Sequence, residues 1–187
     1  MLNAMLKRFL IVALLAVFFA LITAGNSFAA NKTIDVPAGL APEPVKVASV
    51  RVMKSERLLE LLDKYDNVIR SYRIALGKNP IGHKEFEGDN RTPEGRYTIN
   101  TRNPNSDYYL SMRISYPGPE DIKSARRKGV KAGGDIFIHG MPNGKSWMWW
   151  KYNTQKDWTN GCIAMTDKDI KEMWEMVADN TPITIMP

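Results

Sequence analysis

The sequence is poor in the residues that most often staple small domains or bind metals. Of its 187 residues, one is cysteine and two are histidine. A single thiol excludes an intramolecular disulfide, and one Cys with two His is too few for an ordinary structural zinc site. Internal repeats and low-complexity tracts are missing, which removes solenoids and arrays. Beyond the N-terminus no apolar stretch is long enough to cross a bilayer. Neither charge sign dominates: 26 Lys+Arg oppose 20 Asp+Glu, a formal net charge of +6. That mild excess suits an anionic partner without choosing among nucleic acid, membrane and cell wall. What remains, 44% hydrophobic and 25% charged residues, is the composition of one ordinary globular domain.

The N-terminus is the most readable segment. Lys7 and Arg8 precede an uncharged run from Phe9 to Ala24, followed by Gly25, Asn26 and the small-residue site Ser27-Phe28-Ala29. A basic start, an apolar middle and such a site describe a secretory signal over 1–29, cleaved after Ala29. The competing reading is an uncleaved anchor, since the run approaches the spanning minimum. In both, the rest of the chain is exported, and the expected location is the periplasm or cell envelope. Losing Lys7 and Arg8 with the leader lowers the net charge from +6 to +4. Residues 30–44 contain Pro37, Pro42 and Pro44 and few large apolar groups, and read as a linker. The domain proper is expected over 45–187.

Within it the pattern is mainly β with short helices, an α+β class. Residues 45–54 alternate as an interrupted strand. Leu58, Leu59, Leu61 and Leu62 would suit a helix, but Asp66-Asn67 is a turn signal and 68–76 alternate, so a hairpin is expected. The Gly-, Pro- and Asn-rich stretch 77–97 reads as a long surface loop. RYTINTR and LSMRISYP read as strands. PEDIKSARRK reads as a short helix with Pro119 at its start and carboxylates in its first turn. Strand-like GGDIFIHG ends at His139, and GCIAM is another apolar piece. Thr166 and Asp169 form a variant capping box ahead of an apolar stripe at Ile170, Met173, Trp174 and Val177. TPITIMP closes the chain as a strand.

Export makes the lone thiol conspicuous, since an oxidising compartment offers it no partner. Its bland explanation is a buried small apolar residue. Its setting suggests more. His139 and Cys162 each lie at a strand end beside a glycine, and a thiol becomes a useful nucleophile when a nearby base takes its proton. A third group would fix the histidine tautomer, and N–H groups around Gly161-Cys162 could receive an oxyanion.

The order of motifs, IHG at 138–140 and then TNGC at 159–162, resembles the L,D-transpeptidase catalytic domain, or YkuD family. So do ALG at 75–77, GDNRTPEGRY at 88–97, ISYPGPEDIKSA at 114–125 and DWTNGCIAMTDKDI at 157–170. The resemblance covers roughly 45–187. It implies a β-sandwich-like mixed sheet with the site in a cleft under a loop. It makes Cys162 the nucleophile and His139 the base, with the Gly140 carbonyl orienting the imidazole and Gly161 and Cys162 donating to the oxyanion. It implies peptidoglycan stem peptides as partner, a thioester acyl-enzyme, release of D-alanine, an amine acceptor, and no metal or organic cofactor. A wall-linked protein is a further partner it admits; nucleic acid is not expected, and membrane only through an uncleaved signal. Two positions depart from the family: Asn160 stands where it has histidine, and Ala164 where it often has arginine. A hydrolase with the same site, either an L,D-carboxypeptidase or an amidase releasing wall-bound protein, is the first alternative. A wall-binding domain without activity is the second.

Other residues are weighed against plainer roles. Asn160, Arg91, Trp158 and Thr159 are candidate substrate contacts, Arg91 through a bidentate grip on a carboxylate or else in a loop salt bridge. Lys84 is a weaker candidate of the same kind. Asp157 and Thr159 flank the nucleophile and can fix its turn. Trp147, Trp149, Trp150, Tyr152 and Trp158 crowd the segment between His139 and Cys162. They are read first as packing the loop onto the sheet and second as a lid excluding water. Lys145, Lys151 and Lys156 either line the mouth of the site or, as is usual for such charges, are simply solvated, and His83 is expected to be an exposed loop histidine.

Overall fold

A computed structural model describes residues 46–187 apart from Trp149. The expected signal at 1–29 and linker at 30–44 lie outside the described residues. Eight strands form one mixed sheet: β1 Ser49–Met53, β2 Leu58–Leu62, β3 Val68–Arg73, β4 Gly95–Ser106, β5 Tyr109–Ile114, β6 Phe137–His139, β7 Ile163–Ala164 and β8 Thr181–Met186. Among the described residues two α-helices accompany it, α1 Pro119–Arg127 and α2 Asp167–Met176, with one 3-10 turn at Ser146–Met148. The mainly β expectation is correct.

The strand order is β3-β2-β1-β8-β4-β5-β6-β7. Pairing is antiparallel except for β1 with β8 and β6 with β7. The sheet also curls. Beyond β3 the chain bridges back to the far edge, where Ala75 and Ala164 exchange both N–H···O bonds at 2.8 Å and Gly77 bridges Thr159. This curl carries the 75–78 stretch to the nucleophile turn.

Local sequence explains most elements. β2 and β3 are the expected hairpin. The leucines of β2 resemble a helix because nearly all of the strand is buried, Glu60 included, which pairs with Arg51. Two-sided burial replaces alternation with a continuous apolar run. Val50, Val52, Leu59, Leu61, Ile99, Met112, Ile138, Ile163 and Ile185 form the core, onto which α2 lays Ile170 and Met173. α2 starts where Thr166 Oγ1 accepts the Asp169 N–H at 3.1 Å. At the start of α1, Asp121 accepts the Gly118 N–H at 2.8 Å.

The parallel pairing of β6 and β7 has a topological consequence. Parallel neighbours cannot be joined by a tight turn, so the chain must leave the sheet and return. That excursion is the aromatic-rich segment between His139 and Cys162. Among the described residues no helix is long and apolar enough to cross a membrane.

Candidate active site

Strand register brings the two candidate reactive side chains to one cleft. In the β6–β7 pair His139 stands opposite Ala164 and Ile138 opposite Ile163. Side chains alternate between faces, so His139 shares its face with Phe137, and Cys162, just before β7, falls on that same face. Both line a cleft of about 600 Å³ with Ser111, Tyr108, Tyr152 and Trp158.

His139 is only 4% exposed. Its Nδ1 lies 2.7 Å from the Gly140 carbonyl oxygen. A carbonyl only accepts, so Nδ1 carries the hydrogen and Nε2 of the neutral ring is left basic. Burial lowers the histidine's pKa from its ordinary value, against a smaller opposite pull from that hydrogen bond. Gly140 must be glycine: a Cβ would lie 2.6 Å from Asp167 Oδ1 and 2.9 Å from the Tyr108 carbonyl. Its N–H donates to the Tyr108 and Leu110 carbonyls, and Asp167 accepts the Met141 N–H at 2.7 Å. The β4–β5 hairpin and the start of α2 thus clamp the chain that orients the imidazole.

Cys162 is half-buried, and burial raises its thiol pKa, opposed mainly by the Phe137 N–H. Its Sγ–H is directed to the Asp135 carbonyl at 3.5 Å. With His139 pushed down and Cys162 pushed up, the resting pair is neutral thiol and neutral imidazole. The turn before the sulfur is held from inside: Thr159 Oγ1 donates to the Cys162 carbonyl at 2.7 Å and accepts the Gly161 N–H at 3.1 Å. Gly161 has φ +136°, and a Cβ there would come 2.8 Å from the Arg91 carbonyl. The Gly161 N–H is committed to Thr159, which leaves the Cys162 amide as the candidate donor beside the sulfur.

Thr159 fixes the turn through its hydroxyl, as expected, and also borders the cleft. Other expected site residues lie elsewhere. Arg91 does not line the cleft; its guanidinium donates to the His83 carbonyl at 3.3 Å, and its own carbonyl backs Gly161. Lys84 is 3% exposed and paired with Asp89 at 2.7 Å, so it cannot reach a ligand. His83 is half-buried rather than exposed, accepting the Glu94 N–H at Nδ1 and facing Asp121 with Nε2. Trp147 and Trp150 are not packed onto the sheet: they are 65% and 50% exposed and touch each other edge to face. Trp149 lies outside the described residues. Ala164 is fully buried, so an arginine here would have to bury its charge.

Trp158 and Asn160 do belong to the cleft. Trp158 meets His139 edge-on with ring centroids 5.7 Å apart, and its Nε1 donates to the Asn153 carbonyl. Asn160 Oδ1 accepts from Lys78 Nζ at 3.0 Å. Sequence reasoning missed Tyr108 and Lys78. Tyr108, at the tip of the β4–β5 hairpin, lies over His139 with centroids 4.4 Å apart. The Asn-Ser-Asp before it marks a turn, but not which site the turn overhangs. Asp157, as expected, is structural, accepting from Leu76 N–H and Arg57. Among the described residues no group of three His, Cys, Asp or Glu could hold a metal ion.

A family model for the L,D-transpeptidase catalytic domain, YkuD, matches residues 48–185. The chain belongs to the L,D-transpeptidase family. YafK of Escherichia coli (strain K12) is 30% identical to this L,D-transpeptidase-family chain over 134 residues, 68% of the chain and 46% of YafK. YkuD of Bacillus licheniformis is 25% identical over 168 residues, 87% of the chain and 79% of that protein. The helical cell shape determining protein Pgp2 from Campylobacter jejuni superposes with a TM-score of 0.58 at 26% identity, over 74% of this chain and 47% of that one. Bd1075 of Bdellovibrio bacteriovorus shares the fold at a TM-score of 0.51 and 24% identity, over 76% and 48%. The chain therefore spans about half the length of YafK, Pgp2 and Bd1075.

Proposed function

We propose that the domain is an exported cysteine acyltransferase of the L,D-transpeptidase type, acting on peptidoglycan stem peptides through a thioester. The observation that carries this reading is the Nδ1–H of His139 locked on the Gly140 carbonyl, with Cys162 on the same face of the cleft. The thiol swings from the Asp135 carbonyl toward the imidazole. Nε2 takes its proton as the sulfur attacks the carbonyl of the third stem residue. The oxyanion meets the Cys162 N–H. As the tetrahedral adduct collapses, the imidazolium returns the proton to the nitrogen of departing D-alanine. An acceptor amine then attacks the thioester while His139 takes its proton and passes it to the leaving sulfur. No step calls on a metal or organic cofactor.

One observation favours a second acceptor. Trp147 and Trp150 stand in solvent, so these two rings do not shield the cleft from water. Water attacking the same thioester would make the domain an L,D-carboxypeptidase. The test is mass spectrometry of purified disaccharide-tetrapeptide incubated with the protein and with Cys162→Ala. Dimers joined through two third-position residues, with D-alanine released, are the expected product. Tripeptide without dimers selects the hydrolase. Wild-type product identical to that of Cys162→Ala overturns acyl transfer at this site.

A further inference from the structure

Two lysines border the cleft, and the chemistry above uses neither: Lys151 lies over the Tyr152 ring, 5.3 Å from its centroid, while Lys78 is held against the nucleophile turn. Lys78 follows the bridge that the curled sheet makes with the nucleophile turn. Its N–H donates to the Thr159 carbonyl at 3.0 Å, and Thr159 N–H donates to the Leu76 carbonyl at 3.1 Å. The chain cannot shift easily here, because a Cβ on Gly77 would fall 2.1 Å from the Asn90 carbonyl oxygen. The backbone of Lys78 is therefore placed by the same ladder that places Cys162.

Its side chain reaches Asn160 Oδ1 at 3.0 Å. Among the described residues it pairs with no carboxylate. Arg57, by contrast, is paired with Asp157 at 2.7 Å. An ammonium only donates, so the oxygen end of Asn160 must face Lys78 and its NH₂ end must face away from it. The ammonium and this amide edge both border the cleft that contains Cys162 and His139. A histidine at 160 would offer Lys78 an acceptor only while neutral, and its protonated form would be repelled. Lys78 and Asn160 thus fit each other.

We propose that Lys78 and the Asn160 amide form a carboxylate subsite, binding a carboxylate of the peptide substrate beside the reacting bond. The proposal deepens the reading above and rests on it for the identity of the peptide. Arg91 and Lys84 are withdrawn from the cleft into loop contacts, so Lys78 supplies the charge they were expected to bring. Asn160 acts as a positioning residue for that charge and adds a neutral donor.

The test is calorimetry with the full chain carrying Cys162→Ala, so that binding is read without turnover. Two probes are used: disaccharide-tetrapeptide with free carboxylates, and the same compound with its carboxylates amidated. The free acid should bind about five- to tenfold more tightly, the size expected of a partly exposed charge-assisted contact. Adding Lys78→Met should abolish that preference, and Lys78→Arg should keep most of it. Asn160→Asp leaves the lysine in place but occupies it with an internal carboxylate, and should also erase the preference. Undiminished discrimination in Lys78→Met overturns the subsite. Its result is independent of acyl transfer: a protein that binds with this preference yet makes no product refutes the reaction and leaves the subsite standing.

Discussion

Two polar loops flank the candidate site, and they are built in opposite ways. The 78–94 loop is wired to the fold through buried charge. Lys54, fully enclosed, donates to the carbonyls of Gly82 and Thr92 and to the Glu94 carboxylate. Asp89 accepts from Lys84 and from the N–H groups of Glu85, Phe86 and Arg91. The 141–158 segment is anchored at its ends. Asn143 ties it to the β4–β5 hairpin at Asp107, Ser106 and Tyr109, and Trp158 closes it near the cleft. Between these anchors Trp147 and Trp150 face solvent. The first loop backs the sulfur, where the Arg91 carbonyl presses against Gly161. The second forms the mouth. Buried charge lies behind the candidate nucleophile and exposed rings lie in front of it, so the sulfur is backed by the firmer of the two loops.

The largest effect should come from breaking the wired loop. Asp89→Ala leaves Lys84 buried without its partner, at a cost of about 3–5 kcal/mol. Thermal denaturation should show the midpoint falling by roughly 6–20 °C. A change of a degree or two would mean that the pair is not what holds this loop. Next is the contact between loop and nucleophile. Gly161→Ala strains a positive-φ position against the Arg91 carbonyl, for about 1–3 kcal/mol. Displacing the sulfur should lower kcat/KM by ~10²-fold. Kinetics near wild type would show that the turn relaxes freely.

The pH profile comes third. Burial keeps His139 neutral below its ordinary 6.5 and Cys162 protonated above its ordinary 9.0. A plateau in kcat/KM should therefore extend below pH 6.5 and past pH 9. An acid limb centred above pH 6.5 would contradict the buried neutral pair. The same burial acts on stability. The unfolded chain takes up the histidine proton first, so His139 costs stability as pH falls through and below 6.5 and nothing well above it. The smallest effect belongs to the mouth: Trp147→Ala with Trp150→Ala should each change stability by no more than about 0.5 kcal/mol. A larger loss in denaturant titration would mean that these rings are packed after all.

What could be read from the sequence was whatever depends on neighbours along the chain. The hairpin of β2 and β3 follows from Asp66-Asn67 between apolar runs, and α2 from Thr166 and its stripe. His139-Gly140 and Gly161-Cys162 stand out because each reactive residue abuts a glycine at a strand end. Lys84 was misjudged for the converse reason. A charged residue in a polar loop looks exposed until a partner such as Asp89, brought in by the loop's own fold, buries it. Trp147 and Trp150 were misjudged because large aromatic rings default to burial in any composition-based reading.

By itself, then, the sequence determined the main elements, the family and which Cys and His are the candidates for a reactive pair, since these rest on local pattern and short motifs. The tertiary structure alone decided which surroundings that pair receives. Tyr108 reaches His139 because β5 pairs with β6, and Lys78 reaches Asn160 because the sheet curls until Ala75 meets Ala164. Both contacts are consequences of strand order, which is set by the burial of many side chains at once and is written in no single stretch of chain.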